Sequence, residues 1–451
     1  MPPLLAATTD RDPLSYRVGE PVRFLFRAES APPGAIIRWR RTGDDGVEAS
    51  GTIPASCPAP APQSADSAPA AQGAGCAPAV QSAGCAPALQ SAGSAPALQS
   101  AGCAPALQSA GCSVPGTAVP GFLRLEADLL APGGGAALAH FEGGAGADVA
   151  AIRADTPEPP DFDSFWTRRK AALAAVPFDG ATLRPIASPR EGVRLCEVSI
   201  PCPGGRPSTG MLAVPAAPGR YPARVRFRGY FASWKTIGHD TPKPEEIPDD
   251  ALTLFLSAHG YDFNREPAYY ERLHDSLRSN GFDVGFDPEQ NARPGTSYFG
   301  GVVWRVLRGL EFLKRRPEWN GRDLTVLGGS LGGAQAIWAA ALDHDVTECR
   351  PRIPWCCNMA GSAHGRAHGD WFVPWSPGLA YYDAVNMARR IPGTCRVCIP
   401  QAGLGDYISP PSGVMAFYNA LSCEKSATFI QGATHFDFPS AHSQVATLHA
   451  P

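Results

Sequence analysis

The sequence lacks several features that would place it in large classes of proteins. Its 451 residues carry a formal net charge of only −3, which gives no reason to expect binding to nucleic acid or to an anionic membrane surface. No run of about 18 apolar residues occurs, so we expect no membrane-spanning segment. The apolar stretch at residues 1–7 is too short for a signal peptide and has no basic region before it. We therefore expect a cytoplasmic protein, or a secreted one if the N-terminus was trimmed.

Disulfide, metal and cofactor patterns are also missing. The 13 cysteines are odd in number and follow no small-domain disulfide spacing, so reduced thiols are the simplest interpretation. No glycine-rich phosphate loop with a following lysine is present. His364 and His368 have the spacing of helical metal ligands, but Gly365 and Gly369 favour a loop there. We expect neither a metal ion nor an organic cofactor.

A nine-residue repeat occupies residues 67–111, as in the copy Cys85-Ala-Pro-Ala-Leu-Gln-Ser-Ala-Gly93. Each unit has a proline and almost no bulky apolar side chain, so it cannot bury enough surface to offset chain entropy. We expect a disordered insert at about 57–112; a cysteine-rich metal or disulfide array is the alternative. Segments on both sides alternate like β-strands, which predicts a small β-sandwich over residues 1–152 with this insert inside it. The predicted strands there are Tyr16–Ala28, Ala35–Arg41 and Phe122–Leu130.

From residue 158 onward, strand-like and helix-like segments alternate. Asp161 is predicted to cap a helix over Phe162–Ala175. The alternation predicts an α/β domain over residues 158–451, with a mostly parallel sheet, helices on both faces and antiparallel first strands. The predicted strands are 194–200, 209–214, 223–228, 252–257, 324–327, 353–358, 397–401 and 428–431, and the later helices are 268–279, 302–314, 334–342, 381–389 and 412–421.

The chemistry is indicated first by Gly328-Gly-Ser-Leu-Gly332, which joins a predicted buried strand to a predicted helix. This G-x-S-x-G pattern in that context is typical of the nucleophile elbow of the α/β-hydrolase fold. Ser330 is thus the candidate nucleophile. The backbone N–H of Leu331, at the start of the helix, is a candidate donor to the oxyanion of the transition state.

A serine nucleophile needs a histidine base and an acid, which in this fold follow in the order Ser, Asp/Glu, His, each after a strand. Asp406 and His435 satisfy that order and position. Asp383 and Asp437 are rival acids, but the first is predicted to begin a helix and the second follows the histidine. The N–H of Tyr230, after an earlier predicted strand, is the candidate for the second oxyanion donor.

Together these motifs resemble the acetyl xylan esterase/cephalosporin C deacetylase family, carbohydrate esterase family seven. The resemblance covers residues 158–438, and the sequence differs from the usual pattern at Leu331, where the family has Gln, and at Ala258-His-Gly260, where it has Arg-Gly-Gln. The matching segments are Asp161-Phe-Asp-Ser-Phe-Trp166, Arg226-Phe-Arg-Gly-Tyr230, Gly328-Gly-Ser-Leu-Gly-Gly333, Gly403-Leu-Gly-Asp406, Pro410-Pro-Ser412 and Thr434-His435.

The resemblance implies a carboxylic ester hydrolase that removes acetyl groups from sugars or oligosaccharides, as in xylan degradation. It implies Ser330, Asp406 and His435 as the triad and the N–H groups of Tyr230 and Leu331 as the oxyanion hole. It also implies assembly into a homo-oligomer, which the extra β domain brings into question. Two alternatives stay open, namely a serine peptidase or lactone hydrolase of the same fold, and a catalytically dead module that binds a carbohydrate or a partner.

Overall fold

A computed structural model describes residues 2–55, 108–230, 241–366, 371–439 and 443–451. The first 152 residues contribute two small antiparallel sheets. Several of their strands alternate buried and more exposed side chains, and buried ones such as Phe24, Phe26 and Ile37 share one apolar core. One sheet has the order β1-β2-β5, from Leu4–Thr9 (β1), Val22–Glu29 (β2) and Gln108–Val114 (β5). The other has the order β4-β3-β6-β7, from Ile36–Gly43 (β3), Ala49–Pro54 (β4), Gly121–Leu130 (β6) and Ala137–Ala147 (β7).

The predicted insert at 57–112 is wrong at its C-terminal end. Residues 108–112, which include the end of the last repeat copy, belong to β5 and pair with β2, with Cys112 opposite Phe24. The repeat can do this because the ladder uses backbone groups, and Ala110 and Cys112 are small enough to lie buried against the core. Residues 57–107 lie outside the described ranges.

The rest of the chain builds one ten-stranded sheet in the order β17-β16-β15-β14-β13-β11-β12-β10-β9-β8. Strands β11 to β16 run parallel to one another, while β8, β9, β10 and β17 pair with their neighbours in antiparallel fashion. The mostly parallel sheet with antiparallel first strands is therefore as predicted. The strands are Thr182–Ile186 (β8), Val193–Ile200 (β9), Ser208–Pro215 (β10), Tyr221–Phe227 (β11), Leu252–Ser257 (β12), Trp319–Gly329 (β13), Glu348–Arg352 (β14), Arg396–Gly403 (β15), Lys425–Ile430 (β16) and Val445–Ala450 (β17).

Helices α1, α4, α5, α6 and α7 contact one another in that order and form a layer against the sheet. Helix α5 is buried along its whole length between this layer and the central strands. None of the described helices is long and apolar enough to cross a bilayer. The helices are Phe162–Ala174 (α1), Pro267–Leu277 (α2), Pro288–Asn291 (α3), Tyr298–Lys314 (α4), Leu331–Leu342 (α5), Ala384–Ala388 (α6) and Pro411–Ala420 (α7).

Two local predictions are wrong. The segment 353–358 is a buried loop with positive φ at Ile353, Cys356 and Asn358, and the strand is the preceding Glu348–Arg352. The apolar loop residues resemble a strand in sequence because they too are buried. Helix α1 begins at Phe162 as predicted, but the Asp161 carboxylate does not cap it and instead accepts a hydrogen bond from the Tyr381 hydroxyl.

The N-terminal part packs against the larger core through apolar and aromatic side chains. Leu14, Val149 and Ile152, from the N-terminal part, belong to the larger apolar core. Phe122 of β6 stacks on Phe429 of β16, with ring centroids 5.8 Å apart. The division into domains at 1–152 and 158–451 stays a prediction.

Candidate active site

Ser330 lies in a sharp turn between β13 and α5. Its backbone has φ 57° and ψ −124°, a conformation that costs a non-glycine residue about 1–3 kcal/mol. The turn needs glycines on both sides, because a Cβ at Gly328 would lie 2.5 Å from the carbonyl oxygen of Gly332. Neighbouring backbone holds the turn in place: Ser330 N–H donates to the Arg352 carbonyl (3.1 Å), and Trp355 N–H donates to the Ser330 carbonyl (3.1 Å). The predicted elbow geometry is therefore present.

Ser330, His435 and Asp406 form one hydrogen-bonded chain. The Nε2 atom of His435 lies 2.9 Å from Ser330 Oγ, and its Nδ1 atom lies 2.9 Å from Asp406 Oδ2. These contacts fit an imidazole protonated on Nδ1, which leaves Nε2 able to accept the serine proton. The structure thus brings together the three residues that the sequence singled out.

The Asp406 carboxylate is fixed from several sides. It is fully buried, and its Oδ1 atom accepts hydrogen bonds from the N–H groups of Ile408 (3.0 Å) and Ser409 (2.8 Å). Of the rival acids, Asp383 begins α6 and accepts from the N–H groups of that helix and of Asn358. Asp437 is exposed and follows the histidine. Within the described ranges, Asp406 is the acid that contacts His435.

The two candidate oxyanion donors lie beside the nucleophile. Leu331 is the first residue of α5, so its N–H has no carbonyl in a preceding helical turn. Tyr230 lines the same cavity as Ser330 and His435. The Tyr230 hydroxyl donates to the Val284 carbonyl at 2.9 Å, and burial raises the pKa of this phenol, so the side chain is held neutral and fixed.

His259 is a site residue that the sequence motifs did not assign. It is fully buried, and its Nε2 atom lies 3.1 Å from the carbonyl oxygen of Gly229, the residue before Tyr230. Its Nδ1 atom lies 2.7 Å from the Tyr298 hydroxyl. Burial lowers the pKa of His259 to about 3, so the ring is neutral, donating from Nε2 and accepting at Nδ1. His259 therefore fixes the peptide group that precedes Tyr230. The sequence signal that could have found His259 is its position just past the end of β12, because the carboxyl ends of the strands carry the site.

The cavity above Ser330 has a volume of about 750 Å³. It is open to solvent and large enough for a small ligand. The Leu331 side chain is fully buried in the core and does not line the cavity. The lining residues include Arg226, Arg228, Tyr230, Glu246, His259, Ser330, Arg350, Arg352 and His435.

The N-terminal sheets contact the segments that carry Asp406 and His435; we call this contact the seam. The side-chain amide of Gln431, four residues before His435, both donates to and accepts from the backbone of Gly144 in β7, at 2.9 Å each. The Arg124 guanidinium of β6 lies 3.5 Å from the ring centre of Tyr407, the residue after Asp406. The β-sheets of the first 152 residues thus contact the segments that carry both the candidate acid and the candidate base.

Solved structures of other proteins share the fold. The acetyl xylan esterase from Paenibacillus sp. R4 is 24% identical with a TM-score of 0.53, over 64% of this chain and 94% of that one. Acetyl xylan esterase 1 from a Thermoanaerobacterium species is 18% identical with a TM-score of 0.55, over 65% and 93% of the two chains. These similarities confirm the α/β-hydrolase fold.

Sequence comparisons identify the family as well as the fold. The chain is 27% identical to acetyl esterase Axe7A of Xylanibacter ruminicola over 283 residues, which is 60% of this chain and 62% of that protein. The match therefore spans less than two thirds of that relative. The family model for acetyl xylan esterase (AXE1) matches residues 147–363 and 376–449, which include Ser330, Asp406 and His435. Since this match covers well over half of the sequence, the chain belongs to the acetyl xylan esterase family.

Proposed function

We propose that the protein is a serine esterase that hydrolyses acetyl esters of carbohydrates. The observation that carries the proposal is the hydrogen-bonded chain from Ser330 through His435 to the buried Asp406, on a strained elbow that opens into a cavity. Family membership supports the ester class and the acetylated carbohydrate.

In the proposed acylation, His435 Nε2 removes the proton from Ser330 Oγ as that oxygen attacks the acetyl carbonyl carbon. The Asp406 carboxylate holds the imidazole in the tautomer that can accept this proton and stabilises the imidazolium that forms. The N–H groups of Tyr230 and Leu331 donate to the carbonyl oxygen as it becomes an oxyanion. The tetrahedral intermediate collapses when the C–O bond to the alcohol breaks and His435 donates its proton to the leaving oxygen.

In the proposed deacylation, water replaces the alcohol. His435 Nε2 takes a proton from the water as its oxygen attacks the acetyl-serine carbonyl. The ester bond to Ser330 Oγ then breaks, the serine regains the proton from His435, and acetate leaves. The chain's own residues suffice for every proton transfer in this sequence.

The test is the Ser330→Ala variant, assayed with a chromogenic acetyl ester and with acetylated xylo-oligosaccharides. We expect kcat to fall by a factor on the order of 10⁴ or more, because the nucleophile is lost. An unchanged circular dichroism spectrum and urea midpoint serve as the control for folding. A variant that keeps most of its activity would show that Ser330 is not the nucleophile.

A further inference from the structure

Four arginines line the cavity on one face of the sheet. Arg226 lies on β11 and Arg228 follows its end, while Arg350 and Arg352 lie on β14. Strand β13, which leads to Ser330, runs between these two strands. Residues two apart on a strand point to the same face, so each strand places its two arginines on one side.

The strand register sets the spacing of this group, which we call the arginine quartet. Arg226 is opposite Leu327, and Leu327 is opposite Arg350, so the three form one row across the sheet. Gly329 is opposite Arg352 in the next row. Neighbouring strands lie about 4.8 Å apart, which puts the Cα atoms of Arg226 and Arg350 roughly 10 Å from each other. The Leu327 side chain lies between them and also lines the cavity.

The quartet adjoins the nucleophile. Ser330 directly follows Gly329, and its N–H donates to the carbonyl oxygen of Arg352 at 3.1 Å. Gly329, in the middle of the second row, has no side chain to fill the space above it. A ligand placed with its ester at Ser330 therefore has its alcohol part close to these guanidinium groups.

Within the described ranges, Arg350 and Arg352 differ from Arg226 in their carboxylate partners. Glu246 pairs with Arg226 at 2.8 Å and is the only carboxylate among the described cavity-lining residues. Arg350 and Arg352 are exposed, and no ion pair to either is found within the described ranges. The Arg352 guanidinium instead lies over the Phe438 ring, 5.2 Å from its centre. A cavity with excess charge of one sign attracts ligands of the other sign.

On the same face of the sheet, in the row further from Ser330, the arginines do have acidic partners. There Glu348 of β14 pairs with Arg396 of β15 at 2.8 Å. Arg224 of β11 lies 3.9 Å from Asp250. The arginines away from Ser330 thus have acidic partners, whereas two of those next to it present open guanidinium groups.

We propose that the alcohol part of the substrate carries an anionic group, and that Arg350 and Arg352 bind it. This inference rests on the proposed esterase function and names the class of ester, namely an acetylated acidic saccharide. Guanidinium groups bind carboxylate and sulfate through paired charge-assisted hydrogen bonds, and their planar shape suits both. The carboxylate of a uronic acid is the group that we assign, and sulfate shares its chemistry.

Three matched sugars test the proposal. Each is a methyl glucoside acetylated at the same secondary hydroxyl, and they differ only at C6, which bears a carboxylate, a hydroxymethyl group or a sulfate ester. The measured quantity is the preference ratio, kcat/KM for the anionic sugar divided by kcat/KM for the neutral one. A partial loss of active enzyme cancels in this ratio.

We expect a preference ratio of about ten or more for the carboxylate, since hydrogen bonds to charged groups contribute about 1.5–3 kcal/mol. The double variant Arg350→Gln/Arg352→Gln should lower the ratio at least about tenfold, mainly through KM, because the contact is the same in ground and transition states. Raising the salt concentration should lower the ratio of the unaltered protein, because exposed charges are screened. Arg220→Gln, which removes an exposed arginine just before β11 and outside the cavity, is the matched control and should keep the ratio.

The possible results separate failure of the anionic site from failure of the proposed esterase function. A ratio near one in the unaltered protein, or a ratio that the double variant retains, overturns the anionic site. A higher rate with the sulfate ester than with the carboxylate supports the anionic site and overturns its assignment to a uronic acid. Hydrolysis of a chromogenic acetyl ester without hydrolysis of any of the three sugars overturns the saccharide site alone. Failure to hydrolyse any acetyl ester overturns the proposed esterase function itself.

Discussion

Acidification should destabilise the fold through His259. Burial lowers the pKa of His259 to about 3, against 6.5 for an unhindered histidine. Above pH 6.5 the ring is neutral in both the folded and the unfolded chain, so it adds no pH dependence. As the pH falls from 6.5 towards 3, the unfolded chain takes up a proton that the folded chain does not, and stability is lost at about 1.4 kcal/mol per pH unit. Between pH 7.5 and 5.0 this amounts to about 2 kcal/mol.

The assay is urea unfolding at pH 7.5 and 5.0 for the unaltered protein and for His259→Gln. Glutamine keeps a donor for the Gly229 carbonyl and an acceptor for the Tyr298 hydroxyl, but it does not titrate. The other titratable groups are the same in both proteins. Their contributions therefore cancel when the loss of stability of the variant between pH 7.5 and 5.0 is subtracted from that of the unaltered protein. We expect the unaltered protein to lose about 2 kcal/mol more than the variant. Equal losses would mean that His259 takes up a proton in the folded state, and would refute the buried neutral ring described above.

Further predictions concern the reaction and the seam. Asp406→Asn should lower kcat on a chromogenic acetyl ester by about 10⁴, because an amide favours the wrong imidazole tautomer; a loss below tenfold would point to another acid. Gln431→Leu should lower the free energy of unfolding by about 2 kcal/mol or more, because the N–H and C=O of Gly144 are left buried without partners, and should lower kcat through displacement of His435. Unchanged urea unfolding would contradict that role for the seam. Acetyl esters should be hydrolysed faster than butyryl esters and much faster than octanoyl esters, and a series of nitrophenyl esters that gave the opposite order would indicate a lipase-like acyl site.

The geometry of the candidate site was predictable where its signals are local. The glycines around Ser330 are required by a turn of a few residues, and Asp406 and His435 each follow a strand that is recognisable from its own apolar residues. The order of these three along the chain then restricts the choice among many aspartates and histidines. The structure brings them within hydrogen-bond distance of one another.

Strand β14 was missed for a physical reason. Its outward side chains, Glu348, Arg350 and Arg352, are charged because one face of the sheet is open to solvent there. The loop that follows is apolar because it is buried, so a search for buried strands selects the loop. The charged pattern that hid the strand is the same pattern that forms half of the arginine quartet.

His259 has only its position just past β12 as a sequence signal, because its role depends on distant partners. Gly229 lies 30 residues before it and Tyr298 lies 39 residues after it. Strand β5 was missed in a similar way, since its small residues form a strand by pairing with β2. Such residues show little local sequence pattern, and their role depends on contacts that exist only in the folded protein.

The seam has a consequence for the order in which this protein is made. Gly144 leaves the ribosome 287 residues before Gln431, with which it later pairs. Domains synthesised first generally fold first, so the sheets of the N-terminal part can be ready while the segments with Asp406 and His435 are still being translated. Those segments then pack against N-terminal sheets that have already folded. The proposed activity would accordingly appear only after those segments have been made, and a defect introduced in β6 or β7 would be felt at a site encoded further along the message, about as far as the 287 residues that separate Gly144 from Gln431.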